Sequence, residues 1–169
     1  MPSMKSCHFR PFEEALDKET VKGFLAETLR IGCDEPIDIE DNASSYFAAV
    51  ERAQSRDKRF CSMLLEGDAI VGFVDVFTMP KKPGSGFMRF CYVVPERRGC
   101  GVSDRIVDFC VELMSEYGCE EILLDVRADN PRAVGFYARH GWVVREEKQE
   151  GFLRMGKILS TSNESPAGR

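Results

Sequence analysis

Long apolar runs are missing from these 169 residues. None approaches the roughly 20 residues needed to cross a bilayer, and the N-terminus has no signal-peptide core. A cytoplasmic protein with no membrane partner is therefore expected. Histidine is scarce, at two residues, and the seven cysteines include no CxxC pair. Neither His8 nor His140 lies at ligand spacing from a cysteine pair, so no structural metal is implied. The odd, scattered cysteines read instead as reduced thiols, most of them small core residues. Charge of one sign is also lacking: the net value is only −5, which argues against broad nucleic-acid binding. Internal repeats and linkers are absent, so one domain over residues 1–159 is expected. The polar stretch 160–169 reads as a disordered tail.

What is present is a change of hydrophobic period along the chain. Cys7 to Arg10 is a short edge-strand candidate closed by Pro11. Asp17 is placed to cap a helix running to about Ile31, with Val21, Phe24, Leu25, Thr28 and Leu29 on one face. Residues 33–41 form a polar loop around Pro36. A second helix covers Ala43 to Ser55, with Tyr46, Phe47, Val50 and Ala53 as its buried stripe. From Arg59 the pattern turns β-like: Arg59 to Glu66 and Ala69 to Met79 flank Gly67-Asp68, a hairpin signal. Pro80 to Gly86 is an exposed turn and Phe87 to Val94 the next strand. A helix follows from Val102 to Tyr117, with Val102, Ile106, Cys110, Leu113 and Tyr117 at helical spacing and Gly118 at its C′ position. Glu121 to Arg127 is a buried strand. Asn130-Pro131 reads as an N-cap and a first-turn proline for a helix to Arg139. Strands Trp142 to Lys148 and Phe152 to Ile158 close the pattern across Gln149-Glu150-Gly151. The order is β-α-α-β-β-β-α-β-α-β-β, an α/β fold with a mixed sheet.

One stretch carries chemistry on its face. Val93-Val94-Pro95-Glu96-Arg97-Arg98-Gly99-Cys100-Gly101-Val102-Ser103 reads as a strand end, a basic loop and a helix start. The first turn of a helix leaves backbone N–H groups unpartnered and carries partial positive charge. Glycines let the backbone approach a ligand closely, so the loop suits a phosphate or pyrophosphate.

Two motifs then carry a family resemblance. The loop Arg98-Gly99-Cys100-Gly101-Val102-Ser103 follows Val93-Val94-Pro95-Glu96. Further on come Leu124, Val126, Asn130, Ala133, Phe136, Tyr137, Gly141 and Trp142 at fixed spacing. In this order they resemble the GNAT superfamily of acyl-coenzyme A-dependent N-acetyltransferases. The one departure is Ser103, where the family has Gly or Ala.

The resemblance implies a mostly antiparallel sheet flanked by helices, with acetyl-CoA as co-substrate and no metal. Backbone N–H groups from Arg98 to Ser103 (Arg98, Gly99, Cys100, Gly101, Val102, Ser103) would hold the pyrophosphate, with the Arg97 and Arg98 side chains nearby. The backbone at Cys91, Tyr92, Val93 and Val94 would bond the pantetheine and polarise the thioester carbonyl. Asn130, Ala133, Phe136 and Tyr137 would contact the coenzyme, with Asn130 at the pantetheine arm or else serving as a helix N-cap. Tyr137 would protonate the departing thiolate. Several relatives carry an acid on the strand before the loop; here Phe87 to Tyr92 has none, and Arg89 stands where some polyamine-acetylating relatives have Glu. That cation suits an acceptor bearing a carboxylate or another anion. Asp75 and Asp125 remain as base candidates, directly or through water, or else as polar positions on outward strand faces. The expected reaction is acetyl transfer to a primary amine of a small metabolite or peptide by direct attack. The missing strand carboxylate suggests the alternative, a non-catalytic acyl-CoA sensor or structural module on the same fold. The acceptor-shaping loops, residues 30–42 and 79–87, carry no readable motif. A homodimer through the last two strands is compatible with the pattern and not required by it.

Overall fold

The computed structural model describes residues 6–32 and 38–159. Residues 1–6 read from the sequence as a loose end; of these 1–5, together with 33–37 of the expected 33–41 loop and the expected tail 160–169, lie outside the described residues. The elements are β1 (Cys7–Pro11), α1 (Glu14–Gly32), α2 (Ile39–Gln54), β2 (Cys61–Glu66), β3 (Ala69–Thr78), β4 (Ser85–Val93), α3 (Val102–Glu116), β5 (Glu121–Arg127), α4 (Pro131–Arg139), β6 (Val143–Glu147) and β7 (Phe152–Ile158). Short 3-10 turns occupy Lys58–Phe60, Pro95–Arg97 and Gln149–Gly151. The strand order is β1-β2-β3-β4-β5-β7-β6. Pairs β1–β2, β2–β3, β5–β7 and β6–β7 are antiparallel, whereas β4 and β5 run parallel. This is the mixed, helix-flanked sheet the pattern predicts.

The described chain forms two compact units. One holds the residues up to Asp75 together with Phe90–Ser103; the other holds Val76–Arg89 and the residues from Asp104 on. In the first, Phe12 stacks on Phe47 with ring centroids 5.9 Å apart and meets Phe73 edge-on at 6.1 Å. Val21, Val50, Phe60, Met63 and Leu64 complete the buried interior. In the second, Ile106, Val107, Cys110, Leu113 and Met114 form the buried stripe of α3, and Ile122, Leu123 and Leu124 are buried on β5.

Several boundaries differ from the sequence pattern for local reasons. Helix α1 starts at Glu14, three residues before Asp17. Asp17 is not the N-cap: its carboxylate reaches back to the Glu13 N–H at 2.8 Å and takes a two-bond grip from Arg10 at 2.8 and 2.9 Å. With its charge matched there, Asp17 can be 1% exposed. Helix α2 starts at Ile39 because Asp38 caps it, accepting the Asp41 N–H at 3.1 Å. β2 begins two residues later than Arg59, since Asp57 caps a 3-10 turn there. β4 takes in Ser85 and Gly86, both buried, at the expense of the turn. A Cβ on Gly86 would stand 2.4 Å from Met114 Sδ, so this strand can approach α3 only without a side chain. Tyr117 falls beyond α3 and is 44% exposed, outside the buried stripe. Trp142 is buried just before β6, every residue of which is exposed.

Candidate active site

The loop before α3 is shaped by its glycines. Val94 anchors it by donating its N–H to Val71 O at 3.0 Å. Pro95 opens the 3-10 turn, and the Arg98 N–H closes it on Pro95 O at 3.3 Å. Gly99 and Gly101 follow at φ 77° and 83°, the left-handed region that costs residues with a Cβ. Cys100 between them is exposed. Among the described residues, the N–H groups of Gly99, Cys100 and Gly101 find no backbone acceptor. Val102 and Ser103 then open α3, where first-turn N–H groups have no intrahelical partner. The sequence Gly99 to Ser103 is thus a run of donors without backbone acceptors at a positive helix end.

The two arginines of the loop are turned to carboxylates of their own unit. Arg97 pairs with Glu66. Arg98 donates Nε to Val93 O at 3.0 Å and Nη2 to Glu27 Oε1 at 3.1 Å, with its guanidinium 5.5 Å from the Tyr92 ring centroid. Tyr92 in turn donates its hydroxyl to Glu27 and stacks on Phe24 at 4.1 Å. Burial and the Glu27 carboxylate together push the Tyr92 phenol up to about 12. Hydrogen bonds from Tyr92 and then Arg98 hold Glu27 below the usual carboxylate range. Arg98 therefore braces the end of β4 against α1. Burial likewise pushes the neighbouring Cys91 thiol up to about 12, which keeps it protonated.

Asp75 is not an outward polar position on β3: it has no exposed surface. Tyr46 donates its hydroxyl to Oδ2 at 2.9 Å, and the Cys61 thiol lies 3.5 Å from Oδ1. Its carboxylate is fully buried, so direct contact with an incoming amine is closed to it in this arrangement.

The second unit carries the remaining candidates. The parallel pairing of β4 with β5 runs from Ser85↔Glu121 to Met88↔Leu124, the rung before Arg89 and Asp125. Arg89 lies over the Phe77 ring, 4.9 Å from its centroid. Asp125 is opposite Arg154 on β7 and takes two bonds from it, at 2.8 and 3.0 Å, plus one from Lys148 at 3.0 Å. Burial pulls the Asp125 carboxyl upward, but the bonds from Arg154 and Lys148 prevail and hold it below its ordinary value. It stands as a charged, engaged group. On α4, Asn130 caps the helix by accepting the Ala133 N–H at 3.2 Å, and Pro131 occupies the first turn. Tyr137 is half-buried, with ring centroids of Phe136 and Trp142 at 5.2 and 5.6 Å. Its carbonyl accepts the N–H groups of His140 and Trp142, both at 3.0 Å. His140 closes the end of α4: Nδ1 lies 2.8 Å from Phe136 O, and Nε2 lies 2.5 Å from Asp104 Oδ1.

The first unit thus holds Asp75, Cys91 to Val94 and Arg97 to Ser103. The second holds Arg89, Asp125, Asn130, Ala133, Phe136 and Tyr137. Glu27, Tyr46, Glu66, Lys148 and Arg154 are additions that sequence reasoning missed. Only Arg154 had a readable signal, since strand alternation could set it across from Asp125. Among the described residues, no three His, Cys, Asp or Glu side chains converge as a metal ion would require, and no helix is long and apolar enough to cross a membrane.

A donor loop at a helix start, a mixed seven-stranded sheet and an Asn-Pro-capped helix ending in Phe-Tyr define an acyl-CoA N-acyltransferase fold. Residues 23–142 match the model of the acetyltransferase (GNAT) family, and the chain belongs to that family. A stretch of 57 residues is 32% identical to N-alpha-acetyltransferase 30 of Schizosaccharomyces pombe, covering 34% of this chain and 38% of that protein. Another of 58 residues is 31% identical to N-alpha-acetyltransferase MAK3 of Arabidopsis thaliana, covering 34% of this chain and 30% of that one. The matches thus span well under half the length of these curated relatives. The structure of the PaiA N-acetyltransferase of Thermoplasma acidophilum, in complex with coenzyme A, superposes with a TM-score of 0.73 over 90% of this chain and 99% of that one, at 17% identity. That likeness shows the fold.

Proposed function

We propose that the chain transfers acetyl from acetyl-CoA to a primary amine of a small metabolite or peptide, by direct attack of the amine on the thioester. The observation that carries this reading is the run of backbone donors without backbone acceptors from Gly99 to Ser103 in a member of this family. Donors at a helix start suit a pyrophosphate in sign. The likeness to two N-alpha-acetyltransferases favours a peptide N-terminus among amines.

The residues divide the work by chemistry. Backbone groups at Cys91 to Val93 bond the pantetheine and polarise the thioester carbonyl, where a fixed donor is worth about 2.7–4 kcal/mol in the transition state; the Val94 N–H is held by Val71 O. Asn130, Ala133 and Phe136 contact the arm. Tyr137 protonates the departing thiolate. For the amine proton, Asp125 is the base candidate with exposed surface and acts through a bridging water. Asp75 acts by holding Tyr46.

The test is release of free coenzyme A from acetyl-CoA across a panel of amines and peptides. Turnover with at least one primary amine is expected. Tight acetyl-CoA binding with no turnover on any amine would replace this reading with the acyl-CoA sensor.

A further inference from the structure

We propose that Glu27 is the seat for the acceptor's ammonium group and that Arg98 is its built-in occupant, drawn away when coenzyme phosphate reaches the loop. This rests on the acetyl-transfer reading above.

All the groups involved belong to one unit. Strand β4 carries no carboxylate of its own. Helix α1 supplies one: Glu27 meets β4 at Tyr92, whose hydroxyl donates to Oε2. Tyr92 lies between Cys91 and Val93, whose backbone holds the thioester in that reading. The other oxygen, Oε1, accepts Nη2 of Arg98 at 3.1 Å. The same guanidinium stands 5.5 Å from the Tyr92 ring centroid, and Phe24 fixes that ring by stacking on it at 4.1 Å. A carboxylate oxygen beside an aromatic ring recognises an ammonium as well as a guanidinium.

The two arginines of the loop are held unequally. Arg97 pairs with Glu66, which is 11% exposed. Arg98 and Glu27 are each 38% exposed, and a pair so open to water contributes little. Arg98 directly precedes the donors of Gly99, Cys100 and Gly101. A pyrophosphate there offers its guanidinium more charge than one carboxylate does, in a two-bond geometry. Exchange of Arg98 from Glu27 to phosphate therefore leaves Oε1 open beside the Tyr92 ring at small cost. Glu27 stays charged afterwards, because the Tyr92 bond is the largest cause of its lowered pKa and the Arg98 bond the second. A carboxylate kept charged takes up a cation rather than a proton. Acceptor capture thus becomes conditional on coenzyme, with charge matched before and after.

Calorimetry on the full chain reads both halves without turnover. Coenzyme A is first titrated into the wild type, Glu27→Gln, Arg98→Gln and the double variant. Glu27→Gln should tighten coenzyme A by about threefold, the scale of an exposed ion pair, and Arg98→Gln should weaken it by about tenfold. In the double variant the gain should vanish, since Glu27 acts through Arg98; a general field effect would instead add. Alaninamide is then titrated into the same proteins. It should bind coenzyme-loaded wild type and coenzyme-free Arg98→Gln alike. It should bind coenzyme-free wild type and loaded Glu27→Gln about fivefold more weakly. Affinity gained by removing Arg98 is an effect that a merely structural brace does not produce. Additive effects in the coenzyme cycle overturn the proposal, as does alaninamide binding that is equal in all these states or absent from loaded wild type. If the calorimetric pattern holds but no amine releases coenzyme A from acetyl-CoA, the acetyl-transfer reading falls and the cation seat stands. If the wild type binds no coenzyme A, both fall.

Discussion

Arg154 grips both oxygens of Asp125 from the facing strand, at 2.8 and 3.0 Å, and Lys148 adds a third bond at 3.0 Å. These bonds outweigh burial and lower the Asp125 pKa. A carboxylate whose folded pKa is depressed contributes stability above its unfolded value of about 3.9, and that contribution is lost as the pH falls through the folded value. Asp125→Asn should therefore cost about 1–3 kcal/mol at neutral pH. It should also lose less stability than the wild type on going from pH 5 to pH 3. Urea unfolding across that range measures both, and parallel pH profiles would contradict the assignment.

Gly101 sits at φ 83° in the donor loop. Gly101→Ala should cost about 1–2 kcal/mol of backbone strain and turn the neighbouring N–H groups away from their anion. The stabilisation that coenzyme A gives in a thermal melt should shrink accordingly. Gly118 has the same kind of φ, at 72°, beyond the other end of α3. Gly118→Ala should lose similar stability yet keep the full coenzyme-induced shift. If both variants keep the shift, the loop does not hold coenzyme A.

Tyr137→Phe keeps the ring that packs against Phe136 and Trp142 and removes the hydroxyl. A lost proton donor should lower kcat by about 10²–10⁴-fold and leave coenzyme A affinity unchanged. An unaltered kcat would return Tyr137 to a packing role.

Gly86 lies under Met114, with positions for a Cβ only 2.4 and 2.6 Å from Sδ and Cγ. Gly86→Ala should destabilise by about 1–3 kcal/mol through overpacking. The Met114→Ala change costs stability alone, but the double variant should fall short of the summed losses because the clash is gone. Strict additivity in denaturant unfolding would rule out the contact.

Much of the fold could be read from local pattern. Asn130-Pro131 marks the start of α4, Gly67-Asp68 marks the β2–β3 hairpin, and β5 and β7 begin and end where their apolar pattern does. Boundaries were less legible where a charged side chain set them. The first turn of α1 depends on Asp17 meeting Arg10 across seven residues, a partnership with no periodic signature.

The amino-acid sequence by itself determined the starts of α3 and α4, the hairpin, the glycine-rich loop and the family. Each follows from backbone preference or fixed spacing within a few residues. Tertiary structure alone decided which charges meet. It set Arg98 on Glu27, 71 residues away, rather than on an anion, sealed Asp75 behind Tyr46, and brought Arg154 across 29 residues to Asp125. Those pairings depend on strand register and helix packing, and local sequence carries no period that encodes them.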